Sequence, residues 1–187
     1  MCRSPLWHGI VWVVTATAVR RLTPPSAEDD ELVSRLTQLV NGVYAQAERG
    51  LWRDGFLRTT AEEMADMVRA GEIAVATREG QVVGSIRWHD VGEDRGEFGI
   101  LAASPQVRGT GVGRALVDFA ETDCCHRGLR VMQLELLVPR TWSHPSKELL
   151  RGWYGRRGYR LVASRPMDVA FPHLKPLPRG LSRPTDP

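Results

Sequence analysis

The segment from Leu101 to Arg114, LAASPQVRGTGVGR, constrains this chain more than any other. A run suited to a strand, Glu97 to Ala103, leads into three alternating glycines, Gly109, Gly111 and Gly113, and a helical pattern starts at once. Glycines let a backbone approach a ligand with no Cβ in the way. A helix start offers amide N–H groups without intrahelical partners, together with the positive end of the helix dipole, and so makes an anion site. Arg108 and Arg114 add positive charge, and the segment suits a pyrophosphate. Two common phosphate loops are excluded by single positions. A dinucleotide fingerprint needs a glycine three residues after Gly111, where Arg114 stands. A nucleotide triphosphatase loop needs Lys and then Ser or Thr after its last glycine, where Arg114 and Ala115 stand.

The flanking sequence alternates strand and helix signals. Residues 10 to 22 are rich in Val, Thr and Trp and read as a strand that Pro24-Pro25 stops. Ser26 is a capping residue with Glu28 and Asp29 behind it, and Leu32, Val33, Leu36, Leu39, Val40 and Val43 recur at helical spacing. Thr60 and Glu63 form a capping box for a second helix, with Met64, Met67 and Val68 as its apolar stripe and Gly71 as its stop. Ile73 to Thr77 and Val82 to Trp88 read as a hairpin, and the helix after the glycines runs to Arg127. Val131 to Val138 is the most apolar run and predicts a central parallel strand. Pro145 to Arg157 reads as a last helix and Tyr159 to Ala163 as a last strand. The alternation from 97 to 163 predicts an α/β (α+β layered) domain.

Composition narrows the function classes. With 187 residues, 42% of them hydrophobic, the chain has material for one domain with a sizeable core. The net charge of +3, from 25 basic and 22 acidic residues, is too small by itself to make a nucleic-acid binder, and no aromatic platform accompanies the arginines clustered around the last helix. Of the three cysteines, Cys124 and Cys125 are adjacent and Cys2 lies near the chain start, which argues against a disulfide scaffold and fits a reducing cytoplasm. No run approaches the roughly 20 apolar residues of a membrane span. Gly9 to Ala18 comes nearest, and its β-branched residues read as a strand rather than a signal peptide.

Gln106-Val107-Arg108-Gly109-Thr110-Gly111 fits the pattern Q/R-x-x-G-x-G/A, and the chain resembles the Gcn5-related N-acetyltransferase (GNAT) superfamily from about residue 19 to residue 163. LAASP is similar to the family's fourth strand with its bulge, and Trp153-Tyr154-Gly155-Arg156-Arg157-Gly158-Tyr159 to its FYEKLGF stretch. The resemblance implies an acyl-CoA N-acyltransferase fold, a mixed central sheet with helices on both faces, acetyl-CoA as cosubstrate and no metal. It implies that Gln106, Val107, Arg108, Gly109, Thr110, Gly111, Val112, Gly113 and Arg114 surround the pyrophosphate, with the amides of Val107 to Gly113 as donors. The pantetheine arm would pair with Leu101 and Ala103 as a pseudo-strand, where the family's fourth and fifth strands splay. An amide near Ala102 or Ala103 would polarise the thioester carbonyl.

Transfer to a primary amine in a ternary complex needs a base for the amine and an acid for the leaving thiolate. The resemblance gives Tyr154 the acid role; read by itself, it is a packed helical tyrosine. Glu97 stands where some family members carry the base, and is equally a solvated strand-end carboxylate. Glu135, within the apolar run, is the second candidate. Trp52, Arg53 and Asp54, between Gly50 and Gly55, and His144, beside Trp142, are the candidate acceptor residues, though each also reads as plain surface. Arg151, Arg156, Arg157 and Arg160 make a solvated basic face, from which Arg156 would reach the cofactor's 3′-phosphate. One position departs from the family: the asparagine usual seven residues before the tyrosine is Lys147.

These readings divide the chain into an N-terminal extension (1–18), the acetyltransferase domain (19–165) and a Pro-rich tail (166–187). The rival is a non-catalytic acyl-CoA-binding module of the same fold, which Tyr154 disfavours. From Phe171 onward five prolines leave no candidate for the family's seventh strand. Ile10 to Thr15 is a spare β-prone run that would fill the gap, or a neighbouring subunit's strand would, making a homodimer.

Overall fold

The computed structural model describes residues 16–53 and 55–166. Five strands, β1 (Ala18–Arg21), β2 (Ile73–Arg78), β3 (Gln81–Gly92), β4 (Arg95–Ala103) and β5 (Val131–Leu134), form one sheet in that order. The first four are antiparallel neighbours, and β5 runs parallel to β4. Four helices accompany them: α1 (Asp30–Ala47), α2 (Ala61–Arg69), α3 (Val112–His126) and α4 (Pro145–Arg156). Side chains alternate across a strand, and β2 uses both of its sides. Ile73 and Val75 pack with Leu36 and Val40 of α1 and with Met64 and Val68 of α2. Ala74 and Ala76 pack with Leu116, Val117 and Ala120 of α3. The mixed sheet with helices on both faces is the fold that the sequence implies.

Local signals set most boundaries. The Thr60/Glu63 box closes both ways: Glu63 N–H donates to Thr60 Oγ1 at 3.2 Å and Thr60 N–H donates to Glu63 Oε2 at 2.9 Å. Glu79 and Gly80, with φ of +49° and +77°, make the tight turn between β2 and β3. The helix start at Ser26 is corrected. Pro24 and Pro25 begin a 3₁₀ turn in which Ser26 N–H bonds to Thr23 O at 2.9 Å. Asp29 caps α1 instead, its carboxylate accepting from Leu32 N–H at 2.9 Å.

Two strand expectations are also corrected. Val131 to Val138 pairs only as far as Leu134 and lies at the sheet's edge among the described residues. Tyr159 to Ala163 forms no strand. Tyr159 instead turns back, its N–H donating to Tyr154 O at 3.1 Å and its hydroxyl to Glu121 Oε1 at 2.8 Å. Leu161 and Val162 are left 79% and 93% exposed. Apolar and aromatic content made both runs candidates, but a strand needs a partner, and among the described residues neither Glu135 to Val138 nor Tyr159 to Ala163 meets one. Ile10 to Thr15 and the segment from Phe171 lie outside the described residues.

Position of the site follows from a bulge in β4. Gly99 pairs with Arg87 and Ala102 with Ser85, so β4 takes three steps where β3 takes two. Ile100 carries the extra step at φ +47°, a conformation that costs a β-branched residue about 1–3 kcal/mol. Phe98 and Leu101, three residues apart, therefore share the α3 face. A bulge bends its strand and increases its twist. Pairing with β5 stops at Phe98 and Leu134, and the two strands part. On the other side Gly84 lets the start of α3 lie close to the sheet, since a Cβ there would meet Ala102 O and Val112 Cγ1 at 2.9 Å.

Candidate active site

The glycine loop ends in a helix start whose amides are partly spent. Val107, Arg108 and Thr110 donate to Ser104 O, Pro105 O and Val107 O, at 3.0, 3.2 and 3.2 Å. The donor set expected from Val107 to Gly113 is narrowed accordingly. Among the described residues, the amides of Gly109, Gly111, Val112, Gly113 and Arg114 have no acceptor. Gly109 and Gly111 are required by conformation, at φ +78° and +88°, the second being the N-cap of α3. Gly113 is different. It has no positive φ, and a Cβ there would meet nothing within 4 Å. Neither fold nor packing asks for glycine at 113, whereas a molecule lying against the helix start would. Around it, Thr110 Oγ1 donates to Val107 O at 2.7 Å, the Ser104 hydroxyl donates to Gln106 Oε1, and the Val112 side chain is buried. Arg108 and Arg114 are exposed at the mouth, without a carboxylate partner among the described residues.

Where β4 and β5 part, a cleft of about 170 Å³ opens. Its walls are Gly99, Ile100 and Leu101 of β4, the segment Leu134 to Leu137, Tyr44 and Glu48 from the end of α1, Arg58, and Lys147 and Tyr154 of α4. Ser104 N–H bonds to Val83 O at 2.8 Å, so by alternation Ala102 faces β3 while Leu101 and Ala103 turn their amides to the open side. Of the two amides expected near the thioester carbonyl, only that of Ala103 is thus turned away from β3.

Two tyrosines reach this cleft from opposite faces of the sheet. Tyr154 is 8% exposed, packed against Phe98 and Tyr159 with ring centroids 5.9 and 5.8 Å away, and its hydroxyl has no hydrogen-bond partner among the described residues. Burial, and then the neighbouring Tyr44, push its pKa above the usual phenol range, against the pull of Arg157. Tyr44 is pushed up to about 12 by burial, opposed by the Arg58 guanidinium, and its oxygen lies beside the Leu101 amide. Of the two candidate bases, Glu135 lines the cleft and Glu97 does not. Glu97 accepts from Gln133 Nε2 at 2.8 Å. Burial, followed by the charge of Glu97, raises the Glu135 pKa above the ordinary carboxylate value, while Arg165, at 3.4 Å, opposes the shift.

The acceptor-side expectations fare differently. His144 is buried with Nε2 against Arg49 O at 3.1 Å and Nδ1 against Ser146 Oγ at 3.0 Å, so both ring nitrogens are engaged and the ring lies outside the cleft lining. Trp52 stacks on Phe56 at 4.3 Å and donates its Nε1–H to Glu48 Oε2. Asp54 lies outside the described residues. A second hollow of about 190 Å³ lies beside the cleft and is lined by Arg49, Trp52, Arg53 and Phe56, sharing Tyr44, Glu48 and Arg58 with it. Sequence reasoning missed Tyr44, Glu48 and Arg58. Tyr44 and Glu48 are four apart on one helix face, a signal available in the sequence; nothing singles out Arg58. Lys147 donates to Glu48 Oε1, and both side chains are buried.

A bulged fourth strand, unpaired beside an open helix start, defines an acyl-CoA N-acyltransferase fold. The chain contains a GNAT acetyltransferase domain: residues 69–161 match the family model described as an acetyltransferase (GNAT) domain. Among solved structures it is similar to the PaiA N-acetyltransferase of Thermoplasma acidophilum in complex with coenzyme A, at 14% identity and a TM-score of 0.63, covering 80% of this chain and 93% of that one. Rv2747 of Mycobacterium tuberculosis, in complex with CoA and NLQ, is 23% identical with a TM-score of 0.54 over 80% of this chain and 75% of that one. The ribosomal-protein-alanine N-acetyltransferase of Brucella melitensis is 19% identical with a TM-score of 0.57 over 81% and 96%. At such identities the likeness is one of fold. No curated protein matches the sequence. No helix among the described residues is long and apolar enough to cross a membrane.

Proposed function

We propose that this protein moves an acetyl group from acetyl-CoA to a primary amine by direct attack in a ternary complex. One observation carries the reading: the unpaired edge of β4 and Tyr154 line one cleft, and the same strand leads through Ser104 into the helix start with its unspent amides. Acetyl-CoA, when bound, supplies the activated carbonyl and a thiolate leaving group. The amides of Gly109, Gly111, Val112 and Gly113 hold the pyrophosphate and Arg108 and Arg114 neutralise it. Leu101 and Ala103 pair with the pantetheine amides, and the Ala103 N–H steadies the carbonyl oxygen as it gains charge. Glu135 takes the proton of the attacking amine, directly or through water. Tyr154, whose raised pKa keeps it protonated, donates to the sulfur as thiolate develops, and solvent restores its proton. We take residues 19–165 as the catalytic unit and the cytoplasm as its setting, in keeping with the free thiols of Cys124 and Cys125.

The test is thiol release from acetyl-CoA by the full chain over a panel of amines, with calorimetric binding of acetyl-CoA. Gly111→Glu puts bulk and negative charge at the helix start and is expected to abolish that binding. Unchanged binding by the variant refutes the site. Binding with no turnover on any amine leaves the acyl-CoA-binding module instead.

A further inference from the structure

We infer that the amine acceptor also carries a carboxylate, and that the Arg58 guanidinium receives it. The inference deepens the acetyl-transfer reading and rests on it. Arg58 lines both hollows, so it stands between the cleft beside β4 and the neighbouring cavity. Its guanidinium lies over the Tyr44 ring, 4.7 Å from the centroid, and is only partly exposed. Other partly buried arginines of the fold hold carboxylates: Arg21 with Asp123, Arg87 with Glu72, and Arg157 with Asp118 and Glu121. Arg58 has no such partner among the described residues. Glu48, the acidic residue that lines both hollows, is already neutralised by Lys147 and bonded to Trp52. Arg49 and Arg53 add positive charge to the same cavity.

The arginine is also held in place. Asn41 Oδ1 accepts from the backbone N–H of Arg58 at 2.7 Å and of Thr59 at 3.2 Å, and Asn41 Nδ2 donates to Thr59 O at 2.9 Å. A fixed backbone with a ring beneath the side chain leaves a planar fork ready for a bidentate anion. Glu135 and Tyr154 lie in the cleft that this fork borders. An amine directed at them with its carboxylate on Arg58 describes an amino acid or a close analogue.

The experiment follows CoA release at saturating acetyl-CoA with matched acceptors: glycine, L-leucine, L-phenylalanine, L-glutamate and L-lysine, each against its α-carboxamide. The expected result is a kcat/KM at least tenfold higher for the carboxylate member of the pairs that turn over, expressed in KM. The carboxamide has the less basic amine, so this preference runs against intrinsic reactivity. In Arg58→Gln the carboxylate member is expected to fall to the level of its carboxamide, and Arg58→Lys to recover part of the difference. Equal use of both members by the parent protein, or a preference that survives Arg58→Gln, overturns the assignment. If no pair turns over, the same acceptors are titrated calorimetrically into the CoA-loaded protein, and absence of carboxylate-dependent binding overturns it. Failure to bind acetyl-CoA at all would instead fail the acetyl-transfer reading. Should Arg58→Gln not fold, the matched pairs on the parent protein decide alone.

Discussion

Replacing Lys147 with Met leaves the Glu48 carboxylate buried without its counter-charge. The two side chains are 5% and 3% exposed, and Glu48 is also the C-cap of α1, where the helix dipole already disfavours a negative charge. Only the Trp52 Nε1–H then faces the carboxylate. Breaking a buried pair from one side costs about 3–5 kcal/mol, whereas replacing both charges with neutral groups of similar size is often close to neutral. The expected order of stability is therefore parent, then Glu48→Gln/Lys147→Met close behind, then Lys147→Met alone. For a chain of this size each kcal/mol moves the melting temperature by about 2–4 °C, so the single variant should melt roughly 10 °C lower. Urea unfolding and a double-mutant cycle give the coupling directly. A loss under about 1 kcal/mol, or a double variant no better than the single one, refutes the account of the pair as buried and mutually dependent.

Tyr154→Phe is expected to lower kcat at least tenfold with little change in the KM for acetyl-CoA, because the hydroxyl acts only as thiolate forms; steady-state thiol release checks it, and a parental rate removes Tyr154 from the acid role. Because Glu135 titrates above the ordinary carboxylate range, kcat/KM should rise with pH through that raised value as the base deprotonates. Glu135→Gln should lose this lower limb while keeping the one set by the acceptor amine, as a pH–rate profile would show. Gly84→Ala should cost about 1–3 kcal/mol in urea unfolding, since its Cβ would lie 2.9 Å from both Ala102 O and Val112 Cγ1.

What was legible in the sequence is what a few adjacent residues decide among themselves. The Thr60/Glu63 box and the Gly109–Gly113 loop are of that kind, and both stand where the pattern put them. Strand character was not, because it belongs to a pair. The apolar run that starts at Val131 carries no sign that pairing ends at Leu134, and Tyr159 found Glu121 rather than a neighbouring strand. Ser26 and Asp29 were equally good caps by type, and the two prolines decided between them. At the site, Tyr154 was found through the family's motif. Glu48 and Lys147 are 99 positions apart, and nothing local to either announces the other.

The bulge at Ile100 separates two properties that usually travel together. Each half of β4 keeps its own regular register with β3, with Phe98 opposite Trp88 and Ala103 opposite Gly84. Removing Ile100 would leave every remaining side chain of the strand on the face it now occupies, and would relieve a β-branched residue held at φ +47°. The core on the α1 and α2 side would lose one partly buried side chain. What would vanish is the bend that carries β4 away from β5, and a straightened strand would be free to zip onto its neighbour past Leu134, closing the seam. The strain relieved and the packing lost oppose each other in the fold, whereas the cleft has nothing to offset the lost bend, so activity should respond to this deletion far more than stability.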